Sequence, residues 1–292
     1  MATQARTRRI RIRELEIHCY TAGEGPPLVL LHGDGDSGAL WQWAMPALAG
    51  GDQVYAPDLP GFGDSAKPPV DYTPAFLEAV VGDLLDALGL ERVTLVGNSL
   101  GGLVALRLAL NAPERVAGLG LVDSAGLGRE LSPVTAALTL PGLGELAVAW
   151  ARTPIGALQR AWSRAALQFA RPLAAPKAWF DEQVRLARLP GFLEATLSSI
   201  RASADVGGQR EVLLDRLPEL EIPTLVVWGV EDRVVPAMHG RAAVGRLRRG
   251  ELVLIPRCGH VPQVEQPGRF AEAVLRLRAD VALQGTAALR AP

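Results

Sequence analysis

What this sequence lacks narrows it first. It has no uncharged apolar run of about 18 residues or more, the length a membrane-spanning helix requires, so no membrane span is expected. The richest stretch, residues 136–150, is broken by Pro141, glycines and Glu145. Basic excess is missing too: the formal net charge is −1, and without such an excess neither a nucleic acid nor an anionic membrane is expected as partner. Only two cysteines occur, Cys19 and Cys258, far apart and without metal-ligand spacing. That fits a reducing, cytoplasmic setting and no bound metal, with a single disulfide as the alternative. The arginines that do cluster, Arg6, Arg8, Arg9, Arg11 and Arg13, alternate with Thr7, Ile10 and Ile12. This pattern describes an edge strand with a solvated basic face better than a targeting signal.

What is present is ordinary for a soluble globular enzyme: 292 residues, 49% hydrophobic and 21% charged, enough to bury a sizeable core. Short β-branched or leucine-rich runs alternate with amphipathic helical segments, the signature of a largely parallel sheet covered by helices on both faces. Residues 8–13 and 15–21 suggest an antiparallel opening hairpin. Further strands are expected at 28–31, 53–56, 93–96, 116–122, 224–228 and 251–255. The clearest helix is TPAFLEAVVGDLLDALGL, with Thr73 as N-cap, Pro74 at the first position and Gly89 at the end. The rhythm fails over residues 126–218, which offer helical patterns separated by prolines and no strand-like alternation. We read them as a helical insertion after the sixth strand, placed to cover the carboxyl ends of the sheet as a cap, with residues 1–125 and 219–292 forming one core. The tail ALQGTAALRAP reads as frayed.

Two stretches bear on chemistry. LHGDGDSGALW, residues 31–41, sets two aspartates and three glycines into six positions after an apolar run. A calcium loop would need further oxygen ligands and a later glutamate, and a phosphate loop would end in Gly-Lys-Ser/Thr; neither is here. The stronger signal is VTLVGNSLGGLVALRLAL. Glycines two before and two after Ser99 permit a sharp strand-to-helix turn that lifts the hydroxyl clear of the sheet, at a helix start where negative charge is favoured.

A serine needs a general base, and there are only four histidines. His18 lies in the opening hairpin and reads as structural. His32 stands too early in the chain if the order is serine, acid, histidine, and His239 reads as a surface residue of a helix. His260 follows the last expected strand on a glycine-flanked loop, at the same sheet edge as Ser99. The orienting carboxylate is best placed at Asp232, after strand 224–228. Glu231 is a rival in register, and Asp123 occupies a similar strand end one strand earlier.

With these residues placed, the sequence strongly resembles the α/β-hydrolase superfamily from about Arg9 to Ala279. LVLLHGDG, PDLPGFGDSAKP, LVGNSLGG, LVVWGVEDRVVP and CGHVPQVEQPGRF carry the likeness in order. The resemblance implies an α/β fold with a mostly parallel eight-stranded sheet and a helical cap after strand 6, Ser99 as nucleophile, Asp232 as acid and His260 as base. It further implies an oxyanion hole formed by the backbone N–H groups of Asp34 and Leu100, with no cofactor. The expectation at the loop is that Asp34 turns its carboxylate away from Ser99 or uses it on a polar substrate group or water. Gly33, Gly35, Asn98, Trp162 and Val261 are expected around the substrate, a small molecule, in a monomer or homodimer.

Ester hydrolysis is placed ahead of carbon-carbon bond hydrolysis of aromatic ring-cleavage products. Asn98 before the serine suits the latter, but Val261 stands where those enzymes often carry tryptophan. Arg185 and Arg188 are the candidates for gripping an acidic substrate end. A ligand receptor on the same fold is a third reading, disfavoured because serine, acid and base are all present.

Overall fold

The computed structural model describes residues 5–288. Eight strands build one sheet: β1 (Arg6–Ile12), β2 (Leu15–Ala22), β3 (Pro27–Leu31), β4 (Gln53–Pro57), β5 (Val93–Asn98), β6 (Val116–Val122), β7 (Thr224–Gly229) and β8 (Gly250–Ile255). Their spatial order is β1-β2-β4-β3-β5-β6-β7-β8. β2 runs antiparallel to β1 and β4, and the remaining neighbours are parallel. The arginine-rich β1 is the edge strand, with its N-terminal residues exposed and only Ile10 and Ile12 turned inward.

Seven helices of nine residues or more lie among the described residues: α1 (Pro74–Ala87), α2 (Leu100–Asn111), α3 (Leu143–Ala151), α4 (Pro154–Gln168), α5 (Lys177–Ala187), α6 (Phe192–Ser203) and α7 (Pro267–Ala288). Successive side chains of a strand leave on opposite faces, so β3 serves two cores. Leu28 and Leu30 pack with Trp41, Phe270 and Val274, while Val29 and Leu31 pack with Leu77, Leu85 and Leu103. The start of α1 is capped as its sequence requires, the Phe76 N–H donating to Thr73 Oγ1 at 3.1 Å, and Gly89 leaves it at φ 67°. The expected frayed tail is instead helical as far as Ala288, because Phe270, Val274 and Leu277 hold α7 on the sheet. The last four residues of that tail lie outside the described residues. Among the described residues, no helix is long and apolar enough to cross a membrane, and Cys19 and Cys258 are both free and buried.

Between β6 and β7 the chain is helical, from a short turn at Pro133–Ala137 through α3 to α6. A two-residue hairpin, Ala204–Asp205 with Gly208–Gln209, was not expected; pairs so short need no alternation to form. The insertion is pinned to residues 31–41. Arg160 donates to the Gly35 carbonyl at 3.2 Å, Arg164 to the Asp34 carbonyl and to Asp36 Oδ2 at 3.2 Å each, and Ser37 Oγ to Glu182 Oε1 at 2.8 Å.

The loop after β4 is held by one buried carboxylate. Asp58 Oδ1 accepts the Gly38 N–H at 2.6 Å, and Oδ2 accepts the Asp64 N–H at 2.7 Å and faces His18 Nδ1 at 2.9 Å. Burial lowers the pKa of His18, but its bond to Asp58 is the larger influence and the net direction is upward. Asp58→Ala strands two backbone donors and an imidazole, each worth roughly 1–3 kcal/mol when buried unpaired. The expected result in urea titration is a loss of at least about 3 kcal/mol; a loss under about 1 kcal/mol would remove Asp58 from this role.

Candidate active site

Ser99 joins β5 to α2 at φ 56° and ψ −119°, a backbone conformation that residues with a side chain rarely adopt. Close packing makes room for it. A Cβ on Gly97 would lie 2.1 Å from the Gly101 carbonyl oxygen, and one on Gly101 would lie 2.3 Å from that of Leu31. The turn is tied on both sides: the Ser99 N–H donates to Val122 O at 3.0 Å, and Ser99 O accepts from the N–H groups of Gly102, Leu103 and Ala125. Leu100 is buried and begins α2, so its N–H belongs to the positive end of the helix beside the serine.

His260 follows β8, is 2% exposed and sets Nδ1 2.7 Å from Asp232 Oδ2. Asp232 follows β7, and its other oxygen accepts from the N–H groups of Val234 at 2.7 Å and Val235 at 3.1 Å. The carboxylate therefore has one oxygen fixed by backbone and one left for the imidazole. Glu231, the rival in register, faces the other way and accepts from the Cys258 N–H. Asp123, the rival one strand earlier, lies beside the pair, its ligand-type oxygen within 4.8 Å of those of Asp232 and His260. It accepts the Gly229 N–H at 2.9 Å. Complete burial, followed by the charge of Asp232, holds its carboxyl well above the usual carboxylate range.

The turn at residues 32–35 passes directly over the serine: a Cβ on Gly33 would sit 2.9 Å from Ser99 Cβ. His32 orients this turn. Its Nε2 accepts the Leu59 N–H at 2.9 Å, so Nδ1 carries the proton and donates to the Gly33 carbonyl at 2.8 Å. Burial keeps the ring pKa below its ordinary value, which preserves the neutral tautomer. Because C=O and N–H point opposite ways across a trans peptide, holding the Gly33 carbonyl aims the Asp34 N–H to the other side. Gly35, at φ 64°, closes the turn beneath Arg160 and Arg164.

Asp34, Ser99 and His260 line one cavity of about 140 Å³, with Leu131, Val134, Leu138, Leu167, Ile200 and Val235 among its aliphatic walls. Asp34 is one of the residues around this cavity, and its Oδ1 is buried without a hydrogen-bond partner in the protein. Burial raises its pKa to about 6, against the opposing influence of Ser199, Arg164 and His260.

Other expected substrate contacts lie elsewhere. The Asn98 amide is buried and donates to Val122 O at 3.1 Å and His260 O at 3.0 Å, so it fastens the histidine loop to β5 and β6. Trp162 is half exposed and packs on Phe180 at 4.4 Å between ring centroids, on the outer side of α4. Val261 is buried with Leu40, Phe169 and Trp179. Arg185 is taken by Asp64 and Glu182, and Arg188 is exposed. His239 is buried, not superficial, with Nε2 2.7 Å from Glu130 Oε2. The arginine on the cavity wall is Arg164. Its signal in the sequence was the spacing Arg160, Arg164, Gln168 among alanines, a polar stripe at helical period.

A sheet of this order, with a sharp strand-to-helix turn at its centre and a histidine and carboxylate at the neighbouring strand ends, defines an enzyme class, the α/β hydrolases. The chain belongs to the alpha/beta hydrolase family, whose family model matches residues 28–273. It is 35% identical to an uncharacterised protein of Mycobacterium tuberculosis over 87% of this chain and 76% of that one. To the 2-hydroxy-6-oxo-6-phenylhexa-2,4-dienoate hydrolase of Burkholderia cepacia it is 31% identical, over 90% and 91% of the two chains. Among solved structures, a thermophilic esterase from Thermogutta terrifontis superposes with a TM-score of 0.78 at 25% identity, covering 94% and 99% of the chains.

Asp34 makes stability depend on pH. Its carboxyl loses a proton near its ordinary 3.8 when unfolded and near 6 when folded, so between those values the folded state binds more protons and stability falls as pH rises. Above about pH 6 the full penalty, of order 2–3 kcal/mol, is present. Asp34→Asn is expected to raise Tm clearly at pH 7.5 and hardly at pH 4. A gain as large at pH 4 as at pH 7.5 would contradict burial of the charge as its origin.

Proposed function

We propose that the protein is a serine hydrolase that cleaves a carboxylic ester of a small to medium, largely apolar substrate through an acyl-enzyme on Ser99, with residues 126–218 acting as a cap over the site. The observation that carries this reading is the pairing of His260 Nδ1 with Asp232 at 2.7 Å in the same aliphatic-walled cavity as the strained Ser99.

The chemistry follows from that arrangement. Ser99 Oγ attacks the ester carbonyl while His260 takes its proton, and Asp232 stabilises the resulting imidazolium. The N–H groups of Asp34 and Leu100 donate to the tetrahedral oxyanion; one such donor is commonly worth about a hundredfold or more in rate. His260 then protonates the departing alkoxide, and the alcohol leaves. In the second half His260 removes a proton from water, which attacks the acyl-enzyme; the acid departs and Ser99 regains its proton.

A second reading, hydrolysis of a carbon-carbon bond in a 2-hydroxy-6-oxo-dienoate, is favoured by the Burkholderia relative and by a guanidinium on the cavity wall. It ranks lower because the charge of Arg164 is already met by Asp36 at 3.2 Å, which leaves little positive field for a substrate carboxylate. Turnover of such a dienoate well above that of short-chain esters would reverse the order.

Wild-type protein is expected to split p-nitrophenyl butyrate at least tenfold better than the decanoate, since about 140 Å³ does not house a long chain. Ser99→Ala should abolish turnover. Asp232→Asn should lower kcat by about 10⁴-fold, as loss of the orienting carboxylate does in other triads, and Asp123→Asn by less than tenfold. Equal losses in the two aspartate variants would sink the assignment of Asp232, and a Ser99 that resists a fluorophosphonate probe would sink the nucleophile.

A further inference from the structure

The cavity at Ser99 is not uniformly apolar. Three of the residues that line it carry a buried polar atom without a hydrogen-bond partner in the protein, Arg164 at Nε, Gln168 at Oε1 and Asp34 at Oδ1, the Asp34 carboxyl having the Ser199 hydroxyl as its neighbour. Gln168 is itself only 9% exposed. Arg164 and Gln168 stand four residues apart on α4 and therefore share one face of it, opposite the aliphatic residues contributed by Leu131, Val134 and Ile200. A buried polar atom without a partner is costly, so three around one space make a feature that a ligand can satisfy. Their position is tied to the reacting centre as well, because the Gln168 carbonyl accepts the His260 N–H at 2.7 Å and Asp34 belongs to the turn over Ser99.

We propose that Arg164, Gln168 and Asp34 form a polar subsite that receives a hydroxyl group carried by the substrate near its scissile carbonyl, so that the preferred substrates are hydroxy esters. The assignment rests on the ester reading above and adds to it a chemical demand on the acyl group. The donor and acceptor pattern selects the hydroxyl. Arg164 Nε offers a hydrogen, whereas Gln168 Oε1 and Asp34 Oδ1 accept one, and a hydroxyl both accepts and donates. Charge selects it too. A carboxylate would meet Asp34 and an arginine already neutralised by Asp36, and an ammonium would meet Arg164, whereas a neutral group disturbs neither.

Matched ligands test this without depending on turnover. Binding of ethyl 3-hydroxybutyrate, ethyl butyrate and monoethyl succinate to Ser99→Ala is measured by calorimetry, and kcat/KM of wild type is measured on the corresponding p-nitrophenyl esters. The hydroxy ester is expected to bind and react at least tenfold better than the plain ester, with Gln168→Leu and Asp34→Ala each bringing the ratio toward one. Equal binding of the hydroxy and plain esters overturns the subsite, as does a succinate monoester that binds best. If none of the esters is turned over while the hydroxy ester keeps its binding advantage, the subsite stands and the ester reading falls.

Discussion

Everything near the candidate site answers to the backbone of one serine, held at φ 56° and ψ −119° between a buried strand and a buried helix. Such a conformation costs on the order of 1–3 kcal/mol and survives only when its surroundings leave no alternative. Here the surroundings are glycines without room for a Cβ and four backbone hydrogen bonds that bind Ser99 to Val122, Gly102, Leu103 and Ala125. The same closeness brings the Gly33 turn onto the serine, since Gly101 packs against the carbonyls of Leu31 and His32. Strain at the turn and the placement of the Asp34 N–H are thus two results of one packing arrangement.

The strands, the α1 cap and the sharp turn at Ser99 could be read from the sequence because each leaves a local mark: β-branched runs, Thr-Pro before a helix, glycines around a serine. The unread features are of another kind. Trp162, expected around the substrate, is turned outward by α4, which buries alanines and Gln168 on its inner face. Asn98 adjoins Ser99 in sequence, but alternation along β5 sends its amide to Val122 and His260. His239 and Glu130 meet across 109 residues, and no local pattern announces a contact of that range. Arg164 is the instructive case, since the polar stripe 160, 164, 168 was visible but without the fold there was no reason to prefer it to Arg185 and Arg188.

The aspartates of residues 31–41 become intelligible through the insertion. Asp36 is buried and would be a costly isolated charge, yet Arg164 reaches it at 3.2 Å, and Arg160 and Arg164 also donate to the carbonyls of the same turn. Acidic residues on the core and arginines on the insertion are therefore one construction, in which each offsets the desolvation of the other. Asp34 is the member left over. Its main chain is held by Arg164, and its carboxyl is buried at a raised pKa of about 6.

Two aspartates, Asp123 and Asp232, stand at adjacent strand ends within reach of His260, and their surroundings separate them. Asp232 has three hydrogen-bond partners, two of them backbone N–H groups on a single oxygen, which leaves its second oxygen to the imidazole. Asp123 has one backbone donor, complete burial and the charge of Asp232 beside it, all but the first of which oppose ionisation. Two like charges so close repel in a dry environment, and Asp123, the carboxyl with fewer donors, has its pKa driven upward. The sequence prefers Asp232 to Asp123, and the count of N–H groups around each is the structural difference between the two.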